Sequence, residues 1–322
     1  MLTPQLEPIA GVHHITGIAS GPQRNLTFYT TALGLRLVKK TVNFDDPGTY
    51  HFYFGDAAGA PGTILTFFPW SDARPGAQGA GQVTAVGFAV PPGSLGYWAE
   101  RLAQYGASPG APLTRFDQEV LPARDPDGLP LELVAEEGAA PLPAWKGGPV
   151  PAAYAIRGFA APTLMVSEGS PTLDLLTRVF GFQPRQEGPH RVRLAAAGES
   201  AFAPGRVVDV EARPDLARGR MGAGVIHHIA FRVPDGETQL RWRDRLIELG
   251  FQVTPVMDRQ YFTSIYFREP AGILFELATD PPGFALDEPV QALGSALKLP
   301  PWLEPRRETI ERILPPVTLD AV

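Results

Sequence analysis

"GVHHITGIASG" at residues 11–21 and "GVIHHIAFRVPDG" at residues 224–236 open alike, with a His-His pair entering a β-branched, alternating run. "ARDPDGLPLELVAEE" (123–137) and "FREPAGILFELATDP" (267–281) close alike, each a turn leading into a strand. Self-similarity between distant stretches marks a repeated structural unit. Two weaker copies of the opening, "AVGFAVPPG" from Ala85 and "APTLMVSEG" from Ala161, complete a set of anchors at His14, Ala85, Ala161 and His228. These lie 71, 76 and 67 residues apart, which predicts four modules.

After each anchor strand comes a helical stretch ending near glycine, such as "SLGYWAERLAQYGA" and "GETQLRWRDRLIELGF", and then three short strands. In the last helix Leu240, Trp242, Leu246 and Leu249 approximate one apolar face, with Gly250 as its C-cap. The unit is therefore β-α-β-β-β, a curved sheet with a helix on its outer face and a concave inner face, and pairs of units close cups. The fold expected is α+β, with four modules paired into two pseudo-symmetric domains of cup-shaped mixed sheets. The Pro/Gly-rich stretch at 138–155 reads as a linker. It divides an N-terminal domain at 1–145 (modules 1 and 2) from a C-terminal domain at 146–285 (modules 3 and 4). A tail at 286–322 carries a short helix and is expected to drape over the surface.

Composition narrows the chemistry. With 28 Lys+Arg against 34 Asp+Glu the formal charge is −6 and no basic block occurs, so nucleic acid is not an expected partner. No apolar run approaches a membrane span and the N-terminus lacks the pattern of a signal peptide, so a cytoplasmic location is expected. With no cysteine, a metal could be held only by histidines and carboxylates.

Four of the six histidines sit in the two strong repeat openings. Neighbouring strand residues point to opposite faces, so parity selects one histidine from each pair. Ile229, Phe231 and Val233 form the apolar set that packs under the helix, which leaves His228 on the concave face. The same rule selects His14 with Thr16 in module 1. In the closing strand Glu276 shares a face with Leu274 and Ala278, a carboxylate among apolar neighbours that needs a partner or a cation. His14, His228 and Glu276 together are a two-histidine, one-carboxylate set, which favours Fe(II), admits Mn(II) and leaves coordination positions open. Aligning "TILTFFP" with "GILFELA" sets Phe67 opposite Glu276, so module 1 supplies no matching carboxylate. The anchors of modules 2 and 3 are alanines, which makes their cup structural, with Glu132 a hydrogen-bonded carboxylate. Lys39, Lys40, Asp45 and Asp46 read as solvated charges.

The "HHI" openings, the "FEL" ending and the four modules resemble the vicinal oxygen chelate superfamily of glyoxalase I, bleomycin-resistance proteins and extradiol dioxygenases. "FYTTALGLRLVKKTVNFDDPGTYHFYFGD", "GTILTFFPW", "YFREPAGILFELATDPPGF" and "LPPWLEPRR" are similar more specifically to ring-cleaving dioxygenases that open hydroquinones. The resemblance runs from about residue 11 to 315. It implies one Fe(II) on His14, His228 and Glu276, and supporting or substrate-contacting roles for His13, Thr16, His227, Arg259 and Tyr266. Parity puts Tyr266 on the face of Ser264 and Arg268, compatible with a phenol reaching the cup, and opposes contact by His13 and His227 unless a bulge re-aims them. The activity implied is insertion of both atoms of O2 into a dihydroxylated aromatic of hydroquinone or catechol type. A metal-dependent isomerase or lyase of glyoxalase type and a non-catalytic aromatic binder are the alternatives. The expected partners are a small aromatic and O2, with a homodimer compatible with the exposed helices and tail.

Overall fold

The computed structural model describes residues 6–198 and 202–319. Module 1 comprises β1 (Val12–Ala19), α1 (Pro22–Thr27, continued by a π-helical turn, Phe28–Ala32), β2 (Arg36–Asn43), β3 (Asp46–Gly55) and β4 (Ile64–Pro69). Module 2 runs through β5 (Gln82–Val90), α2 (Leu95–Gln104), β6 (Leu113–Arg115), β7 (Gln118–Arg124) and β8 (Pro130–Ala135). Module 3 holds β9 (Phe159–Val166), α3 (Gly169–Asp174, again with a π-helical turn, Leu175–Val179), β10 (Gln183–Glu187), β11 (Arg191–Ala195) and β12 (Val207–Ala212). Module 4 holds β13 (Val225–Val233), α4 (Gly236–Glu248), β14 (Met257–Asp258), β15 (Thr263–Arg268) and β16 (Leu274–Thr279). Each module is β-α-β-β-β, as the repeat predicts.

The strands form two eight-stranded mixed sheets, ordered β14-β15-β16-β13-β1-β4-β3-β2 and β10-β11-β12-β9-β5-β8-β7-β6. Modules 1 and 4 thus share one sheet, and modules 2 and 3 the other. The boundary expected at 145/146 therefore does not separate the sheets: modules 1 and 2, expected in one domain, lie in different sheets, and so do modules 3 and 4. Within a module the first strand pairs in parallel with the last, as β1 does with β4, and keeps one open edge that needs a partner. β13 closes the edge of β1 and β9 closes that of β5, both antiparallel.

Sequence-adjacent modules are tied through their helices instead. In the "RDPDG" turn Asp125 is buried and accepts hydrogen bonds from the Tyr29 hydroxyl (3.1 Å) and the Leu129 amide (2.8 Å), joining module 2 to the helical segment of module 1. In the matching "REPAG" turn Glu269 accepts from the Thr172 hydroxyl (2.7 Å) and the Ile273 amide (2.9 Å), joining module 4 to α3. Burial pushes the Asp125 carboxyl up to about 6. Between its usual 3.8 and 6 the folded chain therefore binds this proton more tightly than the unfolded chain does. Stability from this group is full below the lower value and declines as pH rises through the upper one, by roughly 3 kcal/mol at most. Asp125→Asn is expected to flatten that decline in denaturant melts between pH 4 and 7.

Helix α4 starts at Asp235, whose carboxylate caps the Thr238 amide at 2.7 Å, and ends at Gly250 in the left-handed region (φ +89°). Its buried face is Thr238, Gln239, Trp242 and Leu246, whereas Leu240 and Leu249 are exposed. The Gln239 amide explains the choice, donating to the Thr263 and Leu277 carbonyls of the sheet at 2.8 Å each and so setting the helix's rotation.

The tail, described to residue 319, does more than drape. Its short helix α5 (Arg307–Ile313) is present, with Arg307 paired to Glu304 and Glu311 at the surface. Ahead of it, Phe284 and Leu293 pack with Tyr53, Tyr261 and Phe262 inside the cup of modules 1 and 4. Lys39, expected to be solvated, is fully buried there, with Nζ 2.6 Å from Asp287 and 2.5 Å from Glu288.

Candidate metal centre

β1 and β13 lie side by side in the first sheet, and each is bulged at its histidine pair. Val12 faces Phe231 while His14 faces Ala230, which leaves His13 unpaired, and Thr16 faces His228 while Gly17 faces Ile226, which leaves His227 unpaired. The bulges supply the re-aiming that parity alone opposed. His14 Nε2, His228 Nε2 and Glu276 Oε2 converge at separations of 3.3 Å (His14–His228), 3.3 Å (His14–Glu276) and 2.9 Å (His228–Glu276). Three donors bound at right angles by bonds of about 2.1 Å would stand about 3.0 Å apart. All three residues are buried, and they are the one His/Cys/Asp/Glu group suited to a metal among the described residues.

Charge and hydrogen bonding agree with that fit. Burial alone would raise the Glu276 carboxyl, yet the attraction of His14 and His228 outweighs it and holds the group well below the usual carboxylate range. Glu276 Oε1 accepts a hydrogen bond from the Ser264 hydroxyl, while the buried Oε2 has no hydrogen-bond partner among the described residues. A cation would satisfy that oxygen.

Nδ1 of His14 lies 2.9 Å from His13 Nδ1, and Nδ1 of His228 lies 2.8 Å from His227 Nδ1. Ligation through Nε2 requires the proton on Nδ1, and the preceding imidazole can then accept it, the arrangement that fixes the ring of a metal-binding histidine. Burial, with His14 adjacent, holds His13 neutral, and burial with His228 adjacent lowers His227 to about 3, so both can act as acceptors. His227 also lines the cavity, whereas His13 packs behind His14 against the Phe262 ring.

Above the three donors lies a cavity of about 420 Å³, walled by Phe44, Phe68, Trp70, Phe262 and Leu274 and carrying Arg259, Tyr266, His51 and Tyr53. Arg259 Nε donates to the Tyr266 hydroxyl oxygen at 3.2 Å, and its Nη1 meets Asp45 of module 1 at 3.1 Å across the mouth. Burial, reinforced by the Glu276 charge, raises the Tyr266 hydroxyl well above its usual value and keeps it protonated. Thr16 is fully buried beneath the cavity and bonds the Thr66 hydroxyl at 2.8 Å.

Sequence reasoning passed over His51, Tyr53 and Thr66. Phe52 and Phe54 lie in the core, so the parity rule that selected His14 would also have selected His51 and Tyr53 on β3. Thr66 was missed through an alignment one residue off. Thr16 pairs with Thr66 as Ala230 pairs with Glu276, so Thr66, and not Phe67, is the pseudo-symmetric counterpart of Glu276. Phe67 is core, 4.6 Å from the Tyr29 ring. In the second sheet the counterparts are Glu132, opposite Gly87, and Asp209, opposite Thr163. Arg115 grips Glu132 at 2.5 and 2.7 Å, and Arg193 grips Asp209 at 2.8 and 3.0 Å. Guanidinium groups there neutralise the carboxylates, and that cup contains no imidazole at the anchor positions.

Residues 11–133 and 158–277 match the family described as the Glyoxalase/Bleomycin resistance protein/Dioxygenase superfamily. A Bacillus subtilis protein provisionally named ring-cleaving dioxygenase MhqO is 48% identical over 307 residues, 95% of this chain and 96% of that one. The chlorohydroquinone/hydroquinone 1,2-dioxygenase of Sphingobium indicum is 33% identical over 316 residues, 96% and 97% of the two chains. Among solved structures, a provisionally named dioxygenase from Bacillus subtilis superposes with a TM-score of 0.92 at 45% identity, covering 98% of this chain and 100% of that one. Glyoxalase I from Zea mays shares the fold, with a TM-score of 0.60 at 15% identity and coverage of 84% and 92%. No helix among the described residues is long and apolar enough to cross a membrane. The match across both halves, with relatives covering nearly the whole chain, shows that this protein belongs to the glyoxalase/bleomycin resistance protein/dioxygenase superfamily, among its ring-cleaving dioxygenases.

Proposed function

We propose that the enzyme is an Fe(II)-dependent dioxygenase that opens the ring of a hydroquinone-type dihydroxylated aromatic, with His14, His228 and Glu276 holding the metal. The observation that carries this reading is the buried three-donor set, with its unpartnered Glu276 oxygen, at the floor of an aromatic-walled cavity. The name of the Sphingobium relative supports the substrate class. A divalent iron bound there would supply the electron transfer that lets O2 react with an aromatic ring. One ring carbon–carbon bond breaks and both oxygen atoms stay in the opened, acidic product.

The chain's own part is binding and proton control. Phe44, Phe68, Trp70 and Phe262 offer flat apolar surface to a planar ring and keep water from it. Arg259 stays cationic and supplies a donor to the Tyr266 oxygen, leaving the hydroxyl hydrogen of Tyr266 available to an oxygen developing charge on the substrate. Tyr266→Phe is expected to lower kcat by about 10²-fold with iron content unchanged, as measured by oxygen uptake and metal analysis. A glyoxalase-type isomerase would call for a fourth donor at the position of Thr66, whose hydroxyl is already bonded to Thr16 and His51.

The test is anaerobic reconstitution of metal-free protein with Fe(II), then oxygen uptake with hydroquinone, methyl- and chlorohydroquinone and catechol. Stoichiometric uptake with a hydroquinone supports the reading. One iron bound per chain with no uptake across that panel would overturn it.

A further inference from the structure

A buried hydrogen-bonded chain crosses the cup beside the metal centre. Thr16 Oγ1 lies 2.8 Å from Thr66 Oγ1, Thr66 Oγ1 lies 2.8 Å from His51 Nε2, and His51 Nδ1 lies 2.9 Å from the Tyr53 hydroxyl. Thr16 and Thr66 are fully buried outside the cavity wall, whereas His51 and Tyr53 line it. Phe68 and Tyr53 hold the His51 ring between them, with centroids at 4.3 and 4.1 Å.

The His51 tautomer sets the polarity of the chain, because each hydroxyl has one hydrogen and a neutral imidazole has one N–H. If Tyr53 donates to His51, then His51 donates to Thr66, and only one of the Thr16 and Thr66 hydrogens can fill the bond between those two hydroxyls. The other hydrogen is then stranded, since neither hydroxyl has a further acceptor among the described residues. A buried donor left unmade costs about 1–3 kcal/mol. In the opposite sense Thr16 donates to Thr66, Thr66 to His51 Nε2, and His51 Nδ1–H to the Tyr53 oxygen. Every buried donor is then satisfied except the Tyr53 hydrogen, which belongs to a residue on the cavity wall. Burial, with His14, His228 and Arg259 nearby, keeps His51 in the neutral form this pattern requires.

We propose that Tyr53 is a substrate-binding residue of this enzyme, its hydroxyl kept as an obligate donor by the Thr16–Thr66–His51 chain and directed at an oxygen of the aromatic substrate. His51 is then a positioning residue that acts through Tyr53. The arrangement parallels the Arg259–Tyr266 pair, in which a fixed N–H also satisfies a tyrosine oxygen and frees its hydrogen. The cavity so furnished with two phenolic donors selects substrates whose oxygens accept, such as an ionised ring hydroxyl. The inference rests on the proposed ring-cleaving function.

The test titrates Fe(II)-loaded protein anaerobically with hydroquinone, comparing wild type with Tyr53→Phe, His51→Phe and His51→Gln, and records iron content, melting temperature and the steady-state KM and kcat of each. Tyr53→Phe is expected to weaken anaerobic binding about tenfold, in the range of a lost hydrogen bond to a charged acceptor, with iron content unchanged. His51→Phe should weaken it similarly. His51→Gln, whose amide can accept from Thr66 while donating to Tyr53, should restore part of the loss. Wild type that binds while Tyr53→Phe binds equally well overturns this proposal and leaves the ring-cleaving function standing. If Tyr53→Phe does not fold, equal binding by His51→Phe and wild type overturns it in the same way. Wild type that binds no hydroquinone overturns both.

Discussion

Glu276→Gln is expected to cut oxygen uptake by at least about 10³-fold and to abolish the rise in melting temperature that Fe(II) produces in the wild type. The side chain is fully buried, one oxygen is held by Ser264, and the other has nothing but the two imidazole nitrogens near it. Its charge is therefore the main attraction that the site offers a cation. Loss of a residue that merely supports a ligand already costs 10–100-fold in metal affinity, so loss of the single anionic ligand should cost more. Without metal the variant should be somewhat less stable than wild type, because the attraction of His14 and His228 that outweighs the carboxylate's burial is lost. The thermal readout separates binding from chemistry, since a bound metal stabilises the fold by mass action and an unbound one does not. Retained iron with retained uptake would remove Glu276 from the site. Retained aromatic binding without metal, in this variant and in a metal-free wild type alike, would instead favour a binding module.

Lys39→Met should be the most damaging change outside the metal centre, lowering stability by about 3–5 kcal/mol. Lys39 is fully buried between Asp287 and Glu288, with its ammonium 4.8 Å from the centre of the Tyr261 ring. The Tyr261 hydroxyl donates to Asp287, and the Gly294 and Ala296 amides donate to Glu288, so this one cation anchors the turn by which the tail enters the cup. Removing it leaves two carboxylates facing each other in a site with little water. The triple variant Lys39→Met, Asp287→Asn, Glu288→Gln should recover much of the loss, which distinguishes uncompensated charge from lost packing. Denaturant melts give the stability, and limited proteolysis should show cleavage near residue 290 in the single variant first. The effect should reach the metal centre. Phe284 and Leu293 back Phe262, whose ring packs 5.0 Å from that of His14, so a loosened tail should weaken iron binding as well.

How much of this was legible beforehand follows from how local each signal is. The module, its four copies and the concave histidines are written in short-range patterns: a repeated opening and ending, and a side-chain alternation of two along each strand. His14, His228 and Glu276 could be selected from those patterns because each lies in the first or last strand of a module, where the alternation is clearest. His51 and Tyr53 obey the same alternation but lie in a middle strand that shares no motif with its counterparts. Thr66 escaped because the closing strand of module 1 lacks the "FEL" ending that would set its alignment.

What the sequence by itself determined is therefore the repeating unit and the identity of the three donors, since both follow from periodicities within a few residues. Only the tertiary structure decided which modules share a sheet, because any open strand edge offers the same backbone groups, and the partner of β1 is β13, about two hundred residues along the chain. Only there do the bulges appear that turn His13 and His227 onto their neighbours, since a bulge is a mismatch between two strands and not a property of either. The burial of Lys39 and the polarity of the Thr16–Tyr53 chain are decided at the same level. A charge is solvated or paired, and a hydroxyl donates or accepts, according to what distant segments bring beside it.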